Sequence, residues 1–390
     1  MRALTFKLCV FRFFDTFLLI VPFYTVMFAE RGLTPTQIAI ALAAWSATAV
    51  VLEAPAGVLA DRWSRRGLLF IGQTLRAVGF ALWIVAPGFW GYLIGLMLWG
   101  LKTALMSGTF EALAYDELAA LDRKDAYART IGRAHAARWA GFVSASLLAA
   151  VMIRFGYDVL LMATVGAAVL SAGAALALPP ARRTLARHPH SYLGHLRQGF
   201  ADARRIPGVA PLLISIAAMQ GIVTACEDYW QLFGKGVGLS PPRIALFVAA
   251  IGAVSVVATA LAHRAQTLSL RTLYGLLALT GLMLTAAAAL YRPASILILV
   301  PYFALIRTLE INLDAQFQHR IVPQTRATVA SVKGLAAQSA NTVLILGFGL
   351  VAQAGDYGAE FVTYGVALSL LGGIYALRGP RWIAAAPTPS

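Results

Sequence analysis

Runs of apolar residues long enough to cross a bilayer recur along the whole chain and are separated by short polar turns. A helix needs about 20 such residues to cross a hydrocarbon core ~30 Å thick. With 59% hydrophobic and only 13% charged residues, the composition excludes an ordinary soluble domain. The pattern predicts an all-α membrane protein with twelve transmembrane helices. The predicted spans are 8–28, 38–60, 67–86, 89–111, 132–153, 158–178, 208–233, 242–262, 271–290, 294–313, 328–352 and 359–377.

The placement of the basic residues predicts the orientation of these spans. A net charge of +15 would suggest nucleic-acid binding in a soluble protein. Here, if the N-terminus is cytoplasmic, the inner loops and tails hold 21 of the 32 Lys and Arg residues, and the outer loops hold five. This asymmetry follows the positive-inside rule. We therefore predict a multi-pass protein of the inner (plasma) membrane, with both termini in the cytoplasm and no nucleic-acid partner.

A short polar turn occurs twice and indicates an internal repeat. GLTPTQIA at 32–39 returns as GLSPPRIA at 238–245, and each copy begins a helix with a hydroxyl cap followed by Pro. Two further short repeats occur in the same order along the chain: LADR at 59–62 with LAHR at 261–264, and TFE at 109–111 with TLE at 308–310. Transporters use such repeats to build a site between two bundles. We predict two six-helix bundles, at 1–178 and 207–380, joined by a basic cytoplasmic linker at 179–206 and followed by a cytoplasmic tail at 381–390.

The linker is the longest polar segment of the chain and contains three histidines: His188, His190 and His195. Their spacing lacks a second set of ligands, so we interpret them as a solvated surface and predict neither a metal site nor a cofactor. Part of the segment is expected to lie on the cytoplasmic face as an interfacial helix.

The ten residues GVLADRWSRR, 57–66, resemble the signature that the major facilitator superfamily carries between its second and third spans. Gly, Leu, Ala-Asp, Arg, Trp and Arg-Arg fall at the expected positions, whereas Ser64 stands where Gly is usual. The resemblance implies a twelve-helix transporter in two bundles. It also implies a charge network that latches the inner side of the outward-open state. The implied latch residues are Gly57, Asp61, Arg62, Arg65 and Arg66.

The fifth span departs from the same family. The antiporter signature, which ends in Gly-Pro, is missing, because residues 139–153 contain no Pro. Small residues instead recur every fourth position, at Ala137, Gly141, Ala145 and Ala149, a stripe that favours close helix packing. The missing signature weakens the case for drug/proton antiport and leaves the case for transport unchanged.

Charged and amide side chains inside the spans are the candidate pathway residues, because an ionisable group in the bilayer is costly unless it is paired or hydrated. Arg12 and Asp15 form an i, i+3 pair on span one. The resemblance implies that spans one, four, seven and ten line a central cavity, and all four carry charge. The candidates for the substrate and ion pathway are Asp15, Glu53, Arg76, Lys102, Arg138, Gln220, Glu227, Arg307 and Glu310.

Glu53 and Arg76 are also predicted to pair with each other. They lie at similar distances before and after the turn near Ser64, which places both near the middle of the bilayer. Opposite charges at equal depth on adjacent helices would offset part of each other's desolvation cost.

The leading function is secondary active transport of a small molecule by alternating access, as proton-coupled efflux of an amphipathic compound by a monomer. The basic residues inside the spans keep uptake or exchange of an organic anion open as the alternative. An intramembrane enzyme would need a nucleophile and a base, or a metal set, at membrane depth, and the sequence offers neither. A membrane sensor or scaffold that does not transport is the remaining alternative, and a flux assay separates it from a carrier.

Overall fold

The computed structural model describes the backbone of residues 1–180, 192–321 and 325–383. Within these segments the chain forms sixteen α-helices and no strand, which confirms the all-α prediction. The helices are α1 (Arg2–Thr16), α2 (Tyr24–Glu30), α3 (Pro35–Arg62), α4 (Arg65–Val85), α5 (Phe89–Met106), α6 (Thr109–Ala120), α7 (Tyr127–Met152), α8 (Tyr157–Leu176), α9 (Tyr192–Arg205), α10 (Val209–Glu227), α11 (Trp230–Gly236), α12 (Pro241–Leu261), α13 (Leu270–Leu290), α14 (Ile296–Gln318), α15 (Arg326–Ala354) and α16 (Tyr357–Ile383).

Eleven helical segments of the described chain are long and apolar enough to cross a membrane. They correspond to the predicted spans two to twelve. The predicted first span, 8–28, is not among them because it is divided between α1 and α2. Together they give the predicted twelve-span layout.

Three of the spans expected to line a cavity are interrupted. The breaks separate α1 from α2, α5 from α6, and α10 from α11. At the second break Gly108 has φ +68°, in the left-handed region that glycine adopts without steric cost. Irregular backbone at membrane depth is tolerated where it lines a cavity or is buried in protein, and transporters place substrate sites at such breaks.

The predicted helix start at Thr34 is confirmed, and Ser64 caps a further helix. The Thr34 hydroxyl accepts from the Gln37 amide at 3.2 Å, and the Gln37 side chain accepts from the Thr34 amide at 2.9 Å, which is a complete capping box. Ser64 has φ −63° and caps α4 by accepting from the Gly67 amide at 3.3 Å. A residue with negative φ and a capping hydroxyl is well suited to this position, which explains why glycine is dispensable there.

The chain divides into two compact units. The N-terminal unit comprises Met1–His188 with Ser240–Gly252, and the C-terminal unit comprises Pro189–Leu239 with Ala253–Ser390.

Small residues set the helix contacts of the N-terminal unit. A methyl group on Gly141 of α7 would lie less than 3.0 Å from the carbonyl oxygen of Phe13 on α1. Farther along the same stripe, Ala145 and Ala149 are buried. The predicted packing role of this stripe is therefore confirmed, with α1 as the neighbour at Gly141.

Glycines also allow close helix packing in the C-terminal unit, between α13 and α16. Methyl groups on Gly281, Gly365 or Gly372 would each lie less than 3.0 Å from backbone atoms of the facing helix. Close contact also holds α9 against α15, where a methyl on Gly199 would meet the carbonyl oxygen of Thr328.

Candidate functional site

Asp15, near the end of α1, is the centre of a buried charge cluster in the N-terminal unit. The residue is 3% exposed, and its carboxylate is contacted by four side chains. The Nζ of Lys102 on α5 lies 2.7 Å from Oδ1, and Nε2 of Gln73 on α4 donates to the same oxygen at 2.8 Å. Guanidinium nitrogens of Arg76 and Arg12 lie 3.3 Å and 3.5 Å from the carboxylate. The predicted contact between Arg12 and Asp15 is thereby confirmed.

Arg76 is fixed by the same cluster and is 2% exposed. Its Nη1 donates to the backbone carbonyl of Asp15 at 2.7 Å, and its Nη2 donates to Oε1 of Gln73 at 2.5 Å. Gln73 therefore orients both the anion and the cation. Sequence reasoning missed this residue, although an amide one turn before the only charge of span three was the available signal.

Arg12 links the cluster to α6. Its Nη2 donates to Oε1 of Glu111 at 2.7 Å, and its guanidinium lies 4.0 Å from the centre of the Phe110 ring. A cation over an aromatic face gains further electrostatic stabilisation. The cluster of Arg12, Asp15, Gln73, Arg76, Lys102 and Glu111 is called the Asp15 cluster below.

A cavity of about 510 Å³ opens onto this cluster within the N-terminal unit. Trp45, Trp99 and Phe142 form an aromatic part of its lining. The charged part consists of four cations and two carboxylates, a formal excess of two positive charges: Arg12, Arg76, Lys102, Arg138, Asp15 and Glu111. The break between α5 and α6 also contributes, since Ser107 and Gly108 line the cavity.

The predicted pair between Glu53 and Arg76 is wrong. Glu53 is exposed on α3, and its carboxylate accepts from the Ser107 hydroxyl at 3.3 Å. Arg76 instead faces the interior of the unit and binds Asp15. Counting residues from the turn predicts the depth of each residue in the membrane. It does not predict the direction of the side chain, which depends on how each helix is rotated about its axis.

The remaining predicted pathway residues lie in the C-terminal unit, on α10 and α14. Arg307 donates to Glu310 at 2.8 Å, one turn along α14, and also forms an ion pair with Glu227 at the end of α10. Gln220 is half-buried on α10. Lys333 of α15 forms an ion pair with Asp314 of α14.

The latch residues contact the ends of neighbouring helices in the N-terminal unit. Arg65 forms an ion pair with Asp116 of α6, and Arg66 donates to the carbonyl of Leu178, just after α8, at 3.4 Å. Gly57 is exposed. The side chains of Asp61 and Arg62 lie outside the described residues, so their latch role stays a prediction.

The histidine cluster of the linker also lies outside the described residues: His188 and His190 entirely, and His195 in its side chain. Among the side chains that are described, no group of three or more His, Cys, Asp or Glu is placed to hold a metal ion.

Comparison with known proteins agrees with this architecture. Residues 8–345 match the Major Facilitator Superfamily. No curated protein matches the sequence.

Several solved transporter structures share the fold at low identity. The nucleoside transporter NupG superposes with a TM-score of 0.79 at 13% identity, covering 96% of this chain and 98% of that one. A bacterial homologue of the human lysosomal transporter Spinster gives 0.75 at 15% identity, covering 100% and 98%. A D-xylose-proton symporter gives 0.73 at 14% identity, covering 98% and 97%. The family match spans most of the chain, the helices form the twelve-span layout, and these neighbours are transporters. The chain is therefore a member of the Major Facilitator Superfamily, a multi-pass membrane transporter.

Proposed function

We propose that this transporter moves a small amphipathic molecule with an anionic group, by secondary active transport with alternating access. The observation that supports the proposal is the cavity of the N-terminal unit, where a formal excess of two positive charges faces an aromatic wall. Buried cations in a site of low polarity bind an anion more strongly than exposed cations do. The aromatic side chains add apolar contact area for the rest of the molecule.

The Asp15 carboxylate would compete with an anionic substrate for the same partners. It contacts the side chains of Lys102, Arg76 and Gln73. A substrate carboxylate or phosphate that reaches the cavity can take over some of these contacts, and a proton on Asp15 would release them. In this exchange the proton and the anion favour each other's binding, so it supports proton coupling of the symport type, which belongs to the uptake alternative.

We propose export as the direction and the inner membrane as the location, with both termini in the cytoplasm and the monomer as the working unit. The basic inner loops support the orientation. Uptake or exchange of an organic anion is the second candidate. The cationic lining of the cavity and the exchange at Asp15 both favour it.

Flux measurements on purified protein in proteoliposomes test the function. A panel of amphipathic carboxylates should be transported, whereas the matching amides should not. An imposed proton gradient should drive accumulation, an uncoupler should abolish it, and the polarity of the effective gradient gives the direction. A protein that moves no member of the panel under any gradient would contradict the proposal and favour a sensor or scaffold.

Lys102→Met is expected to raise the KM for an anionic substrate at least tenfold, because the cavity loses the cation that lies nearest to Asp15. Lys102→Arg keeps the charge and is the matched control, and it should retain most of the transport. Initial rates in proteoliposomes measure both. An unchanged KM for Lys102→Met would remove Lys102 from the substrate site.

Asp61→Asn is expected to shift the conformational population toward inward-open states. A charged contact present in one conformer biases the equilibrium by its differential energy. Cysteine labelling from the inner and outer sides, in a background without Cys9 and Cys226, reports the shift. Asp116→Asn serves as the comparison, because it breaks the Arg65 ion pair within the N-terminal unit. Identical labelling of Asp61→Asn and the parent protein would argue against the latch.

A further inference from the structure

Glu360, in the first turn of α16, is a buried carboxyl group without a compensating cation. The residue is 1% exposed, and its Oε2 has no hydrogen-bond partner. Among the described side chains, none of the lysine or arginine nitrogens lies within 4 Å of this carboxyl, in contrast to Asp15 and Glu310.

Aromatic side chains surround this end of α16. The Tyr229 ring stacks on Phe348 with 3.7 Å between the ring centres, and Trp230 stacks on Phe361 with 4.6 Å. These four residues are called the aromatic shell. Tyr229 and Trp230 stand at the break between α10 and α11, and Phe361 directly follows Glu360. The interrupted helix therefore supplies two of the four rings that pack at this end of α16.

The titratable groups that face Glu360 offer no positive charge. Cys226 and Tyr229, at the end of α10, are both fully buried and interact electrostatically with Glu360. The charges that act on the same thiol and phenol belong to the carboxylates of Glu227 and Asp228.

The described residues of the other elements around α16 also bring no unpaired buried cation to Glu360. After α13, Tyr291 packs beside Gly358, and burial raises the pKa of its phenol to about 12, so it stays neutral. On α14, Arg307 is already bound by Glu227 and Glu310. Lys235 of α11 is exposed, and α15 contributes the apolar ring of Phe348.

The energies favour a protonated carboxyl. An ionised carboxylate that is buried without a partner is strongly destabilising. The N-terminus of α16 would offset only a small part of this cost. That terminus is also already capped, because Asp356 accepts from the Ala359 amide at 2.8 Å. A bound proton neutralises the carboxyl and so removes most of the cost of burying it.

Tyr364 does not compensate the charge of this carboxyl. Its hydroxyl donates to the backbone carbonyl of Leu344. A phenol has one hydrogen and carries no positive charge, so Tyr364 does not replace the missing cation at Glu360.

We propose that Glu360 is a proton-binding site of the C-terminal unit, separate from the Asp15 cluster, that holds its proton while the aromatic shell is closed. The site lies beside the α10–α11 break. The break carries Glu227, the partner of Arg307, so motion at that point would expose Glu360 and disturb the Arg307 ion pairs together. The proposal goes beyond the proposed transport of an anion and does not depend on it.

Infrared spectroscopy of the full-length protein in lipid nanodiscs at neutral pH tests the site without any substrate. The wild type should show the C=O stretching band of a protonated carboxyl group, and Glu360→Gln should lose it. Asp356→Asn removes an exposed carboxyl from the same turn and is the matched control, which should keep the band. Because glutamine mimics the neutral acid, Glu360→Gln should also keep the thermal midpoint of the wild type.

Tyr364→Phe provides a second measurement on a protein that retains Glu360. It removes the hydroxyl that interacts with the Glu360 carboxyl, so the band should shift in frequency, whereas Tyr357→Phe should leave it in place. A wild type without the acid band, or a band of unchanged intensity in Glu360→Gln, would overturn the proposal. A wild type that shows the band but transports no anion would contradict the proposed function and leave the proton site standing.

Discussion

Asp15→Asn is expected to abolish transport and to destabilise the N-terminal unit by roughly 3–5 kcal/mol, the cost of removing one partner from a buried ion pair. The variant leaves Lys102, Arg76 and Arg12 with Glu111 as the only remaining carboxylate of the cluster. Asparagine can still accept hydrogen bonds through its carbonyl oxygen, but it does not cancel a charge. Proteoliposome flux and thermal unfolding of the purified protein measure the two effects.

The matched control for Asp15→Asn is the double variant Asp15→Asn/Lys102→Met. It removes one positive charge together with the negative one, and should recover part of the lost stability without restoring transport. A double-mutant cycle with Lys102→Met alone then gives the coupling energy of the pair. If Asp15→Asn unfolds like the wild type and still accumulates substrate against a gradient, Asp15 is neither a structural anion nor the proton acceptor.

Depth along the spans could be predicted from the sequence, but the direction of each side chain could not. The few charged residues within apolar runs identified Asp15, Lys102 and Arg307 as candidates, and the structure places each in an ion-pair cluster. Counting residues from a turn gave Glu53 and Arg76 the same level. It could not show that Arg76 points toward α1 while Glu53 is exposed, because helix rotation depends on the packing of all neighbours.

Helix starts could be predicted from the sequence, but helix breaks could not. The capping box at Thr34 was readable, because all its parts lie within four residues. The breaks after Thr16, Met106 and Glu227 were not predicted, since each lies inside an apolar run that is long enough to be a single span. Partners distant in sequence, such as Arg12 and Glu111, require the tertiary fold.

The burial of Glu360 could not be predicted from the sequence either. It directly follows the predicted start of the last span, at 359, where a charged residue is expected to reach the membrane surface. The helix instead begins at Tyr357, and tertiary packing buries the carboxyl under the aromatic shell. A sequence pattern gives distance from the membrane centre, whereas burial within protein depends on contacts from other helices.

Gly372→Ala is expected to destabilise the C-terminal unit by roughly 1–3 kcal/mol, the usual cost of overpacking a close contact. The added methyl would lie less than 3.0 Å from the backbone nitrogen of Ala278, which cannot move without shifting α13. Gly373→Ala is a matched control one position away. Nothing lies within 4 Å of its methyl, and both substitutions gain the same helix propensity, about 1 kcal/mol. Thermal unfolding in one detergent should therefore give a lower midpoint for Gly372→Ala and an unchanged or higher one for Gly373→Ala. Equal midpoints for the two variants would mean that α13 and α16 do not pack through their glycines.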